Sequence, residues 1–380
     1  MIPYGRQDIR DEDVAAVEAV LRSKWLTQGP AVPRFEEAVA ARCGASHAVA
    51  ANNATSVLHL ACMALDLKPG DALWTTPNTF VASANCGRYC GASVDFVDID
   101  RDSLNLDPIA LAAKLEQAEK GGKLPKVVVA VDFAGLSCDM AAIGALADRY
   151  GFRIIEDASH AIGGHYQGQP VGNGRHADIT VFSFHPVKII TTGEGGMALC
   201  NDAALAERMA RLRSHGIRQN AAIQAAEGPW YYEQIELGFN YRMTDIQAAL
   251  GYSQLARLDD YVAARRRLAD RYDRLLAGFP LRTPWRDAKA ESAWHLYVIR
   301  LEDSARRRAV FEHLRAAGIG VNVHYIPVHL QPDYRHLGFA PGDFPIAEDY
   351  YTRAITLPLY PGLSDAEQDR VVSELRAALA

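Results

Sequence analysis

Long apolar runs are missing from this chain. No uninterrupted hydrophobic stretch approaches the ~20 residues that cross a bilayer, and the opening Met1–Asp13 segment has nothing like the apolar core of a signal peptide. A cytoplasmic protein with no membrane partner is therefore expected. An excess of positive charge is missing too: 40 Lys and Arg against 46 Asp and Glu leave a net charge of −6, with no basic footprint for nucleic acid. Cysteine is sparse, with six residues (43, 62, 86, 90, 138 and 200) scattered through apolar segments. Only Cys86 and Cys90 lie close together, and no second pair or His cluster would complete a zinc or iron–sulfur site. No metal is expected, and buried free thiols in a reducing compartment are. Neither Gly-x-Gly-x-x-Gly nor Gly-x-x-x-x-Gly-Lys-Ser/Thr occurs, which weakens every reading built on a nucleotide cofactor.

What is present is enough chain for one large and one smaller unit. From about residue 11 to 280, short apolar runs alternate with helical segments, the pattern of βαβ units and a mostly parallel sheet. Asp11–Arg22 reads as a first helix, acidic at its start and basic at its end. Strands are expected at Ala48–Ala51, Ala72–Thr75, Val94–Val97, Val127–Val131, Arg153–Ile155 and Ile179–Ser183, and one long helical stretch from about Thr244 to Leu276. Beyond the turn-rich Gly278-Phe-Pro280 the style changes. His295–Leu301 reads as a strand, Ser304–Ala317 as a helix, Gly320–Ile326 as a strand and Asp365–Leu379 as a closing helix. The expected fold class is α/β: a large unit over 1–255 with a mostly parallel sheet flanked by helices, and a small α+β unit over 256–380 that includes the connecting helix.

Lys188 carries most information. It follows the buried-strand pattern Val181-Phe-Ser-Phe184 and precedes Gly193-Glu-Gly-Gly196, whose backbone can approach a ligand closely. A single lysine is ordinarily a solvated surface charge. Held in this loop it would be partly desolvated, which favours the free amine that attacks an aldehyde. Asp157 ends another apolar strand, in Glu156-Asp157-Ala-Ser-His160. An acid there can bind a ribose, but the dinucleotide loop that reading requires is absent. It can also hold a pyridinium nitrogen protonated. An amine for a Schiff base and an acid for a pyridine nitrogen are the protein groups that pyridoxal phosphate (PLP) chemistry needs most. Asn53-Ala54-Thr55-Ser56 leads into a helix and offers either an anion site or a plain N-cap. Phe80 suits the face of a flat ring or the core.

Six motifs in order make the chain similar, over essentially its whole length, to the DegT/DnrJ/StrS family of PLP-dependent sugar aminotransferases, which have fold type I. They are Asn-Ala-Thr-Ser at 53–56, Thr-Phe-Val-Ala-Ser at 79–83, Glu-Asp-Ala-Ser-His at 156–160, Phe-Ser-Phe-His-Pro-Val-Lys at 182–188, Gly-Glu-Gly-Gly at 193–196 and Gly-Phe-Asn-Tyr-Arg-Met-Thr-Asp at 238–245. Within the family it most resembles the UDP-4-keto-6-deoxy-N-acetylhexosamine transaminases of pseudaminic acid synthesis. That likeness rests on Ile2-Pro-Tyr4-Gly-Arg6, Ser23–Gly29, the His185–Thr192 stretch and Val323–His329. Related transaminases of UDP-4-keto-pentoses share the cofactor motifs.

The resemblance implies roles. Lys188 holds PLP and, once released, moves the proton at the donor carbon. Asp157 pairs with the pyridine nitrogen, and His160 contacts the ring phenolate, with a core histidine as the alternative. Phe80 lies on the ring, while Ala54, Thr55, Ser56 and Ser183 hold the phosphate. Asn240 reaches the phosphate from a neighbouring subunit, making a homodimer with shared sites. The sugar nucleotide meets Tyr4, Lys24, Trp25, Leu26, Thr27, His324, Tyr325, Ile326 and Pro327, together with Ala54, Ser183 and Asn240. For Trp25 and Leu26 the alternative is packing, while Arg242 either meets a carboxylate or a phosphate or is a surface or interface charge. The partners implied are L-glutamate, leaving the cofactor as pyridoxamine phosphate, and a UDP-linked 4-keto sugar. Two rivals are a sugar 3-dehydratase, in which His replaces the lysine that is present here, and a PLP-binding sensor without catalysis. Asp132-Phe-Ala-Gly135 departs from a common His-Leu-Tyr-Gly-like form, and Asn53 stands where Ser is frequent.

Overall fold

The alternating segments fold into two principal sheets, beside two minor ones of two-residue strands, in the computed structural model, which describes residues 1–380. Seven strands form the larger: β1 (His47–Ala51), β2 (Ala72–Thr75), β3 (Ser93–Phe96), β4 (Val127–Val131), β5 (Arg153–Asp157), β6 (Ile179–Ser183) and β7 (Gly196–Cys200). Their spatial order is β1-β7-β6-β5-β4-β2-β3. From β3 to β6 neighbours run parallel, and β7 and β1 add antiparallel at one edge. Parallel strands covered on both faces must be apolar throughout, and Val127-Val-Val-Ala-Val131 is buried at every position. Its side chains alternate between two cores. Val127, Val129 and Val131 pack with Val57, Leu58 and Ala61 of the helix Ala54–Ala64. Val128 and Ala130 pack on the opposite face with Leu111, Leu115 and Ile154.

A three-stranded antiparallel sheet, β8 (Leu281–Arg282), β9 (Tyr297–Leu301) and β10 (Ala354–Leu357), has its own core. There Ile299 and Ile355 meet Val310 and Leu314 of the helix Arg307–Ala316 and Val371 and Leu375 of the helix Asp365–Leu379. The helix Leu258–Leu275 ties the two bodies together. Tyr261 and Val262 belong to a core of the large sheet, whereas Leu268, Ala269 and Tyr272 belong to the small one, as does Ile2 from the N-terminus. The mixed α/β architecture expected from the alternation is the one observed.

Four local expectations are corrected. The stretch Thr244–Leu276 is two helices, Asp245–Leu255 and Leu258–Leu275, broken at Arg257 (φ −109°, ψ 11°). No Pro or Gly marks the break. Its cause is tertiary: Gln254 and Arg257, on either side, both grip the buried Asp13 carboxylate, at 2.7 and 2.6 Å. Gly320–Ile326 is not a strand, having only a bridge between Asn322 and Thr356 beside that of Ile2 with Ile319. There the chain turns His324 and Tyr325 toward a cavity instead of extending a ladder. The helix expected from Ser304 begins as a 3-10 turn, Ser304–Arg306, before the α-helix Arg307–Ala316. Of the six free cysteines five are buried, and Cys90, ending the helix Ala82–Tyr89, is half-buried.

Candidate active site

The C-terminal ends of β5 and β6 open into a cavity of about 860 Å³, at the edge of a parallel sheet where α/β folds bind ligands. Asp157 is the last residue of β5 and Ser183 the last of β6, and both line it. After β6 the chain folds back on itself: Phe184 N–H donates to Gly195 O (2.9 Å) and Lys188 N–H to His185 O (2.9 Å). This turn carries Lys188 into the cavity. Burial pulls the Lys188 amine down to about 8 from the ordinary 10.5, with the negative Asp157 working the other way. Near neutrality a useful fraction is therefore free amine.

Asp157 is held from two sides. Ser83 Oγ donates to Oδ2 at 2.6 Å, while Ser159 Oγ (2.5 Å) and N–H (3.2 Å) donate to Oδ1. Thr79 Oγ1 lies 2.8 Å from Ser83 Oγ and extends the chain. A buried carboxylate aimed by two hydroxyls is pre-oriented. His160 is also buried. Its Nδ1 accepts the Ala134 N–H (3.2 Å), which leaves Nε2–H to donate to the Tyr325 hydroxyl at 3.2 Å. Burial first, then the charge of Lys188 and the nearby His324, hold its pKa well below the ordinary value, so the ring is neutral. His324 is likewise pushed down to about 4 by burial and Lys188, and its Nδ1 lies 2.8 Å from Thr356 Oγ1.

The Asn53–Ser56 turn caps its helix and also lines the cavity. Asn53 is the N-cap of the helix Ala54–Ala64, its side chain accepting the Ser56 N–H at 2.8 Å. Helix geometry leaves the N–H groups of Ala54 and Thr55 without intrahelical acceptors, at the positive end of the helix dipole and on the cavity wall. The cradle is tight. A Cβ on Gly196 would sit 2.6 Å from the Ala54 backbone, so only glycine lets β7 approach this turn. Phe80 lines the cavity with its ring 59% exposed, a position for a ring face and not for the core. An anion cradle, a half-buried amine, an aimed carboxylate and an open aromatic face in one cavity suit PLP: the Ala54–Ser56 turn with Ser183 for its phosphate, Asp157 for its nitrogen, Lys188 for its aldehyde.

Among the expected sugar contacts, Tyr4, His324 and Tyr325 line the cavity, Tyr4 and His324 with rings 5.6 Å apart. Others lie outside the cavity of this chain. The exposed turn Lys24–Thr27 is drawn toward Asp245, whose N–H donates to Leu26 O (3.0 Å) and whose carboxylate accepts from Gly29 N–H (2.7 Å). Ile326 and Pro327 leave the cavity as Val328 N–H bonds Pro77 O. Asn240 is exposed, bridged to Ser214, and Arg242 forms no ion pair. Conversely, several wall residues escaped sequence reasoning. Ser83 lay within a recognised motif and Ser159 two residues past the key acid. His295, buried with its ring 4.4 Å from His160 and its Nδ1 without a partner, had no signal at all.

Comparison with known proteins agrees with this geometry. Residues 7–376 match the model of the DegT/DnrJ/EryC1/StrS aminotransferase family. The spore coat polysaccharide biosynthesis protein SpsC of Bacillus subtilis is 40% identical over 382 aligned positions, covering 99% of this chain and 96% of that protein. Among solved structures, PseC of Helicobacter pylori, an aminotransferase involved in the biosynthesis of pseudoaminic acid, superposes with a TM-score of 0.91 at 32% identity, covering 100% of this chain and 99% of that one. The sugar aminotransferase Spr1654 of Streptococcus pneumoniae, in its pyridoxamine phosphate form, does so with the same TM-score, identity and coverage.

Proposed function

The chain belongs to the DegT/DnrJ/EryC1/StrS aminotransferase family as a PLP-dependent sugar aminotransferase, and from that premise we propose that it aminates C4 of a UDP-4-keto-6-deoxy-N-acetylhexosamine with L-glutamate as donor, in pseudaminic acid biosynthesis. The observation that carries this reading is the pairing of the Lys188–Asp157 cavity with a full-length likeness to PseC. A second reading, another nucleotide-linked keto sugar such as a UDP-4-keto-pentose, is favoured by the higher identity to SpsC, whose name points to a surface polysaccharide.

When bound, PLP supplies an electron sink for the carbanion at the donor carbon. Lys188 Nζ takes the proton from the donor Cα and returns one to the sugar carbon; with its pKa near 8 it can do either. Asp157, aimed by Ser83 and Ser159, keeps the pyridine nitrogen protonated. Neutral His160 has its one ring N–H left for Tyr325, and this pair would contact the ring phenolate of the cofactor. Tyr4, His324 and Tyr325 receive the sugar. The Lys24–Thr27 turn and Asn240, outside this chain's own cavity, are assigned to the site of a second copy in a homodimer. The division at 255/256 is kept as a proposal, supported by the separate core of the small sheet.

Visible absorption of the PLP-loaded protein tests the reading. Bleaching by L-glutamate and recovery with UDP-4-keto-6-deoxy-N-acetylhexosamine is the expected result. Recovery only with a UDP-4-keto-pentose moves the assignment to the second reading. Absence of bleaching removes L-glutamate as donor.

A further inference from the structure

A second cavity, of about 390 Å³, lies where the two bodies of the fold meet, away from Lys188. Four arginines line it: Arg101 from the loop after β3, Arg282 of β8, Arg300 of β9, and Arg353 of the helix Pro345–Arg353. Against them stand two carboxylates, Glu302 and Asp349, so the lining carries a formal charge of +2 in a chain of −6. Asp349 is committed to Arg353 at 2.9 Å. Arg101, Arg282 and Arg300 have no carboxylate within ion-pair distance, and Asp100, the nearby acid of the loop, spends its carboxylate on Ser103 and the Asp102 N–H.

The backbone places these charges together on purpose of register. Arg282 and Arg300 are direct partners in the antiparallel β8–β9 pair, so both side chains leave the sheet on one face. Like charges directly opposite destabilise a ladder unless something neutralises them. Arg300 is the more enclosed of the two: one Nη donates to the Arg101 carbonyl, while its Nε is buried without any hydrogen-bond partner. Burial first, with Arg282 as a like neighbour, lowers its pKa, while Tyr350, Asp102 and Asp100 work the other way. The helix Pro345–Arg353 supplies Ile346, Asp349, Tyr350 and Arg353 at i, i+3, i+4 and i+7, one continuous face, and Leu104 with Ile346 forms an apolar floor. Tyr350 seals the site from the active cavity: its hydroxyl donates to the His324 carbonyl and its ring stands edge-on to Phe133 at 5.9 Å.

We propose that this arginine-lined cavity binds a small phosphate-bearing anion, bridging the loop after β3 to the small sheet. Arg353 is held by Asp349 and the Leu301 and Glu302 carbonyls, but Arg101 and Arg282 have guanidinium donors without partners, which suit the tetrahedral oxygens of phosphate, and the apolar floor leaves room for a short organic part. Calorimetric titration of the PLP-loaded protein with inorganic pyrophosphate, glycerol phosphate and citrate tests it. One saturable phosphate site per chain is expected, weakened at least tenfold in both Arg282→Gln and Arg101→Gln, whose exposed side chains leave the thermal melt no lower and the PLP absorption unchanged. The tighter of pyrophosphate and glycerol phosphate marks the natural occupant as inorganic or esterified. No saturable binding, the same affinity in both variants, or a preference for citrate over both phosphates overturns the proposal.

Discussion

The cofactor half of the active cavity and the sugar half are built differently. Lys188, Asp157, Ser183 and the Ala54–Ser56 turn sit at strand ends and a helix start, elements buried on both sides and tied by short hydrogen bonds. The residues expected to meet the sugar nucleotide are split. Tyr4, His324 and Tyr325 reach the cavity from the margin of the small sheet, whereas Lys24–Thr27 and Asn240 stay on the exposed surface. Of the residues expected to hold the cofactor, only Asn240 lies outside this chain's cavity, whereas the sugar half lacks the whole Lys24–Thr27 segment. Chemistry that tolerates little misplacement stands on the rigid sheet, and the segments expected to recognise the sugar lie on loops at its margin and on the surface.

The comparison breaks most severely at Lys188. Lys188→Ala is expected to lower turnover on the order of 10³-fold or more while circular dichroism and the melt stay those of the parent. Substantial remaining activity would remove Lys188 from its role. Gly196→Ala attacks the same half through packing. Its Cβ would meet the Ala54 backbone at 2.6 Å, and a loss of about 2 kcal/mol in denaturant unfolding is expected, together with weaker PLP binding. An unchanged midpoint would show that the cradle has slack.

A smaller effect separates the amine from its surroundings. Burial lowers the Lys188 pKa to about 8, so the amine is charged below that pH and free above it. The rate of PLP rebinding to the cofactor-free protein should rise roughly tenfold between about pH 7 and pH 9, with a midpoint near 8. The unfolded chain, with its lysine near 10.5, holds more protons between those values, so cofactor-free stability also rises with pH across that window. A rebinding midpoint near 10 would contradict the desolvated amine. The smallest effect tests the contribution expected from a second copy. Asn240→Ala is expected to weaken PLP retention about fivefold, one lost hydrogen bond, as followed by cofactor release on dilution. Unchanged retention would undo its assignment to a neighbouring copy.

Much of the fold was legible because period and burial are local signals. Val127–Val131, Ala72–Thr75 and Ile179–Ser183 fall within the observed strands residue for residue, and the closing helix Asp365–Leu379 does too. Where prediction failed, distant residues had intervened. The helix break at Arg257 is made by Asp13, 244 residues away along the chain. Gly320–Ile326 has the pattern of a strand, yet His324 gives its ring to Thr356 and its carbonyl to Tyr350.

The same division runs through the site. The sequence by itself determined the reactive chemistry, because an amine in a Gly-bounded loop and an acid at a strand end are set by residue type and by the neighbours on either side. Only the tertiary structure decided who aims and tunes the groups of the cavity: Ser83 bonds Asp157 across 74 positions, and Tyr325 meets His160 across 165. Hydrogen bonds and Coulomb forces act over a few ångströms of space, whatever the distance along the chain, and the fold alone makes those two distances different.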